Sequence, residues 1–160
     1  LGDGLSVAAV ALVGQSLGRG RPDMARIYGG TCQRIGLFFS VVVSIVFITQ
    51  GRLIFSLFDK TPAVLEEGVI IMRFAAAVVF FQISQVVFSG CLRGAGDVRY
   101  MAVVSLVSAT FVRPALGWFF CYGLGLGLTG AWMGLATDQF LRLFFTAIRF
   151  LSGKWTKIRI

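Results

Sequence analysis

Histidine does not occur in this sequence, and its absence removes a good deal of chemistry. No Ser-His-Asp set can be assembled, and a zinc site built on imidazole has no ligands to draw on. The three cysteines, Cys32, Cys91 and Cys121, are far apart and show no C-x-x-C spacing, so they read as buried, reduced thiols. Charge is scarce too. Only 14% of the residues carry one, where a soluble domain is nearer about a quarter. Acids number seven against fifteen Lys and Arg. Asp138 is the only acid deep inside an apolar stretch, and Asp3 sits near the start of another. No pair of carboxylates is available for acid–base work, so no catalytic, cofactor-binding or metal-ligating residues are expected. There is no long linker and no low-complexity tract. The first residue is Leu, and no basic segment with a cleavage site follows it, so no signal peptide is read and the chain is expected to begin inside a longer protein.

What fills the sequence is apolar. Hydrophobic residues make up 57% of it, with 16 Phe and 20 Gly, and the mean hydropathy is +0.85. A core of 160 residues cannot hide that much apolar surface, so lipid is the natural solvent. The net charge of +8 would suggest nucleic acid in a soluble protein. Here the cations stand singly between apolar runs, which excludes a nucleic-acid surface and makes them topology signals.

Five segments are long or apolar enough to read as bilayer-crossing helices: residues 5–17, 31–50, 69–92, 100–122 and 128–151. The expected fold is all-α, a polytopic transmembrane bundle in one domain covering residues 1–160. The first segment is short. The connections alternate in charge. Arg19, Arg21 and Arg26, then Arg93 and Arg99, then Arg149, Lys154, Lys157 and Arg159 fall on one side. Arg52 and Lys60, with Asp59, Glu66 and Glu67, fall on the other, with the uncharged link 123–127. An excess of Lys and Arg marks the cytoplasmic side, so the chain is expected to be a multi-pass protein of the plasma (inner) membrane with a cytoplasmic C-terminus. Trp118, Tyr122 and Trp132 outside, and Tyr100 and Trp155 inside, are expected to anchor at the lipid–water interfaces.

Several motifs carry polar or close-packing information. Gly125 to Gly130 matches G-x-G-x-x-G but joins two membrane helices, so it reads as a tight turn and not a dinucleotide site. Gly14/Gly18, Gly90/Gly94 and Gly130/Gly134 are spaced for close helix approach. Gln82, Gln85 and Ser89 share one helix face, either as an interhelical hydrogen-bond seam or as a cavity wall. Arg113-Pro114 falls at mid-membrane, on a helix that also carries Ser105 and Ser108. Pro114 should kink that helix, and Arg113 should face the bundle interior and pair. Gly130, Gly134, Asp138 and Arg142 recur every fourth residue and form one stripe. Asp138 and Arg142 are spaced to pair, and Asp138 lies about 15 Å from the outer turn. The pair is either structural, extended to Arg113, or part of a gate facing substrate.

These residues also resemble a family. Leu12-Val13-Gly14-Gln15-Ser16-Leu17-Gly18, followed by the run from Arg19 to Ala25, resembles the LVGQxLGAG signature of multidrug and toxin extrusion (MATE) transporters. Ser89 to Asp97, with Arg93, Gly94, Gly96 and Asp97, is similar to their GxLRGAGD turn. Gly125 to Met133 is similar to the GLGLxGxW start of their last helix, and the ending from Arg149 to Trp155 also fits. The resemblance covers nearly the whole chain. It implies the end of the second of two six-helix lobes, equivalent to helices eight to twelve of twelve, without the N-terminal lobe and helix seven. It further implies export of small organic, often cationic compounds by antiport with H⁺ or Na⁺, with two lobes rocking about a central cavity. The family's best-known coupling carboxylate lies in the first lobe. Some members add acids in helices seven, eight and ten, but the segment here equivalent to ten has none, so no cation ligand carries over and the coupling ion stays open.

Under this reading Gln82, Gln85, Arg113 and Asp138 are expected to line or support the cavity, with Arg142 beside Asp138. Two other functions fit the residues less well: a lipid-linked saccharide flippase of the same superfamily, and a non-transporting membrane scaffold for which glycine packing alone would suffice.

Overall fold

The computed structural model describes residues 2–56, 62–125 and 127–157, and no strand occurs among them. Five helical rods follow one another. They are α1 (Gly2–Gly18), α2 (Pro22–Ser56), α3 (Pro62–Gly94), α4 (Val98–Gly123) and α5 (Gly127–Leu151). A short 3₁₀ turn, Lys154–Lys157, follows. The helices overrun the apolar segments. At 1.5 Å per residue α2 is about 50 Å long, against a hydrocarbon core of about 30 Å. Apolar content marks only the bilayer core, whereas backbone hydrogen bonding carries each helix on past it. Among the described residues three helices, at Pro22–Gly51, Gly68–Gly94 and Val98–Gly123, are long and apolar enough to cross a membrane. The short α1 falls below that measure by length and α5 by its charges at Asp138, Arg142 and Arg149.

Two turns close in the same way. After α1, Gly20 adopts φ 68° while Arg21 N donates to Ser16 O and Gly20 N to Leu17 O, each at 2.9 Å. After α3, Gly96 adopts φ 80° while Asp97 N donates to Leu92 O at 2.9 Å and Gly96 N to Arg93 O at 3.0 Å. Both are the paired capping bonds that need a left-handed residue at the helix end. Pro22 then opens α2, where its missing N–H leaves no helix bond unmade.

The core gathers at one end of the bundle. Val13 of α1, Ala25 and Cys32 of α2, Cys91 and Leu92 of α3, Met101 of α4 and Trp155 of the tail form one buried cluster. The α1–α2 link, the α3–α4 link and the tail therefore lie together. Asp59, Lys60, Leu126 and Arg159 lie outside the described residues, as do the side chains of Arg52, Glu66, Glu67 and Lys157.

Glycines set the crossings. A Cβ on Gly94 would stand 2.6 Å from Val10 O, and one on Gly90 2.6 Å from Ser6 O, so α1 and α3 touch backbone to backbone. Gly14 packs against Gly94 O, but Gly18 has open space around it and takes no part. Trp118 and Tyr122 are exposed, as befits interface residues. Trp155 is not an interface residue. It is fully buried, stacks on Phe150 at 5.1 Å between ring centroids, and donates from Nε1 to Phe150 O at 2.7 Å. The left-handed turn at Gly153 folds the tail back onto the bundle and hides the ring. Cys32 and Cys91 are buried free thiols, while Cys121 is half-buried.

Candidate functional site in the α3–α4–α5 bundle

The small residues of α5 decide where its charges go. A Cβ on Gly130 would stand 2.6 Å from Phe120 O, and one on Gly134 3.2 Å from Gly117 N. The same stripe, one turn further on, presses Asp138 into α4, where it is 1% exposed. The group that meets it is Ser108, whose hydroxyl donates to Asp138 Oδ1. Arg142 Nε donates to Ser108 Oγ at 2.7 Å and stands 3.4 Å from Asp138 Oδ2. Ser108 thus bridges cation and anion, while Oδ2 accepts no hydrogen bond.

The expected Asp138–Arg142 pair exists. Its extension to Arg113 does not, because Ser108 takes that place. Arg113 lies on the exposed face of α4 and has no partner among the described residues. Residues Ser108–Val112 form a wide π turn, and the crossing of α4 with α5 sets Ser108 rather than Arg113 against Asp138. Pro114, just past that turn, has no N–H for the helix ladder. Nothing in the sequence pattern signals the π turn or which face of α4 meets α5.

Gln85 and Ser89 of α3 line a cleft of about 350 Å³ together with Arg93, Met101, Ser105 and Arg142. Gln82, one turn along, is exposed and lines a second cleft of about 220 Å³ with Asp3 and Val86. Neither glutamine hydrogen-bonds to another helix among the described residues, so α3 makes no amide seam. Among the described residues no three His, Cys, Asp or Glu side chains converge as a metal would require.

A second ion pair went unforeseen. Asp97, in the α3–α4 turn, is buried and accepts from Arg149 Nε at 2.7 Å. The guanidinium of Arg149 also lies over the Tyr100 ring, 4.9 Å from its centroid, and Tyr100 donates to Phe145 O at 3.2 Å. Tyr100 is therefore held by α5 and is not simply an anchor in lipid.

The model of one protein family, MatE, matches residues 1–119. The chain belongs to the MatE family. Among MatE relatives, a probable multidrug resistance protein NorM of Thermotoga maritima is 28% identical over 96% of this chain and 33% of its own length. The multidrug resistance protein MdtK of Yersinia enterocolitica is 32% identical over 91% of this chain and 33% of its own. The fold is that of a solved multidrug resistance MATE transporter, described as inward-facing, with a TM-score of 0.85 at 20% identity over 92% of this chain and 33% of that one. The chain thus spans about a third of the relatives it matches, and it is a multi-pass membrane protein. In this MatE chain the motif residues serve the helix ends and crossings. Gly14 and Gly94 meet, Gly96 caps α3, Asp97 holds Arg149 and Arg93 rims the α3–α4–α5 cleft, while Gln15 and Gly18 are exposed.

Proposed function

We propose that this chain forms part of the second lobe, residues 1–160, of a secondary active exporter of small organic, often cationic compounds. It would supply the equivalent of helices eight to twelve, beside an N-terminal lobe, in the plasma (inner) membrane. One observation carries the reading: Gln82 leaves its amide without a partner among the described residues, in a cleft of a bundle whose family resemblance runs along most of the chain. A polar side chain in a membrane must face protein or water, and this one faces an open cleft. Gln82 shares its cleft with the carboxylate-bearing Asp3, which favours a cationic cargo. Asp138 and Arg142 would brace the wall through Ser108, and the exposed Arg113 would be available to the opposite lobe. The clustering of the cationic links and the tail at one end fits a cytoplasmic C-terminus, with alternating access by rocking of the two lobes driven by H⁺ or Na⁺.

The test is ethidium accumulation in efflux-deficient cells expressing the full-length parent. Expression should lower accumulation. Reversal by a protonophore assigns H⁺ as the coupling ion, and reversal by sodium removal assigns Na⁺. Equal accumulation with and without the parent would end the export reading.

A further inference from the structure

The cleft between α3, α4 and α5 has a chemistry of its own. Its polar lining is Gln85, Ser89, Arg93, Ser105 and Arg142, and it includes no carboxylate. Gln85 and Ser89 are largely buried, and among the described residues neither side chain has a hydrogen-bond partner, so their polar atoms are available to whatever enters the cleft. The arginines are also unfinished. Arg142 uses only Nε, on Ser108 and Asp138, and Arg93 uses only Nε, on Ser89 O at 3.4 Å. Among the described residues their terminal nitrogens have no partner, and both side chains line one cleft. Every polar group facing that space can donate a hydrogen bond, and the two fixed charges are positive.

We propose that this cleft is an oxyanion site, built for a phosphate group. Guanidinium groups pair with phosphate through forked, charge-assisted bonds, while the amide and the hydroxyls supply the remaining donors. Of the two nearby acids, Asp97 is paired with Arg149, and Asp138 is bonded by Ser108 and stands beside Arg142; neither lines the cleft. The site lies at the membrane surface. Arg93 is in the last turn of α3 and Val98 in the first of α4, and Ser105 lies two turns deeper, about 10 Å in. Val86, Val98, Met101 and Ala102 give the rest of the wall an apolar surface. A phosphate on an apolar stem matches that lining, as in an anionic phospholipid, and so does a soluble phosphate ester. Two arginines repel an organic cation, so this site is separate from the Gln82 and Asp3 cleft and does not rest on the export reading.

Native mass spectrometry of the detergent-purified full-length parent tests the site, with phosphatidylglycerol and phosphatidylcholine as probes. Phosphatidylglycerol should be retained about tenfold better than phosphatidylcholine. Arg93→Gln and Ser89→Ala should each cut that preference at least threefold. Arg142→Gln combined with Asp138→Asn, which leaves no unpaired buried charge, should abolish it. Arg99→Gln, outside the cleft lining, should leave it unchanged. Millimolar glycerol 1-phosphate separates the two sources. Displacement of the lipid shows a site open to soluble esters, and retention against it shows a site for the lipid headgroup. Equal retention of the two lipids, with no glycerol 1-phosphate adduct, would overturn the proposal. So would losses in the cleft variants no larger than that of Arg99→Gln.

Discussion

Arg149 Nε and Asp97 Oδ2 are 2.7 Å apart, although 52 residues separate them in the chain. The pair ties the end of α5 to the turn that starts α4, so two of the family-like motifs hold each other in place. Removing one partner of a buried pair strands the other charge. Arg149 keeps some access to water, which lowers the cost. Asp97→Ala should therefore destabilise the parent by about 2 kcal/mol. Asp97→Asn keeps an acceptor and should cost less. Thermal unfolding in detergent ranks the two variants, and equal midpoints for Ala, Asn and wild type would refute the pairing.

Ser108 should matter more than Arg113. Ser108→Ala removes the one hydrogen bond that the Asp138 carboxylate accepts among the described residues and should cost about 1–3 kcal/mol. Arg142→Gln leaves a buried carboxylate uncompensated and should cost about 3 kcal/mol, most of it recovered when Asp138→Asn is added. Arg113→Gln, at an exposed position, should stay within about 0.5 kcal/mol. The midpoints of this four-variant series decide the order. A loss at Arg113 equal to that at Arg142 would place Arg113 in the buried network.

The glycine pairs are not equivalent. Gly94→Ala drives a methyl into Val10 O and should cost about 1–3 kcal/mol by overpacking. Gly18→Ala meets nothing and should be neutral or stabilising by up to about 1 kcal/mol. Fluorescence-detected size exclusion after heating will show which variant stays monodisperse.

Trp155→Ala should remove a fully buried ring and cost about 3–5 kcal/mol. Trp118→Ala, at an exposed interface position, should change the midpoint little. Equal effects would return Trp155 to the lipid interface.

Gln82→Ala should alter the parent's drug resistance at unchanged expression. Unaltered resistance to every compound tried would remove Gln82 from the cavity wall.

Much of this protein was legible without coordinates. Apolar run length requires lipid and predicts five helices; Gly-rich turns gave the family and the helix ends; the four-residue stripe of α5 predicted the Asp138–Arg142 pair. These are local properties, written in composition and in the 3.6-residue period. Other features exist only once the rods are packed. Ser108, not Arg113, stands beside Asp138 because of how α4 crosses α5, and no residue pattern announces that crossing. Asp97 finds Arg149, and Trp155 finds Phe150, because three links fold to one end of the bundle. Gln85 and Ser89 come to share a cleft with Arg93 and Arg142 for the same reason. Periodicity says which face of a helix a side chain occupies, but only the crossing of helices decides which faces meet.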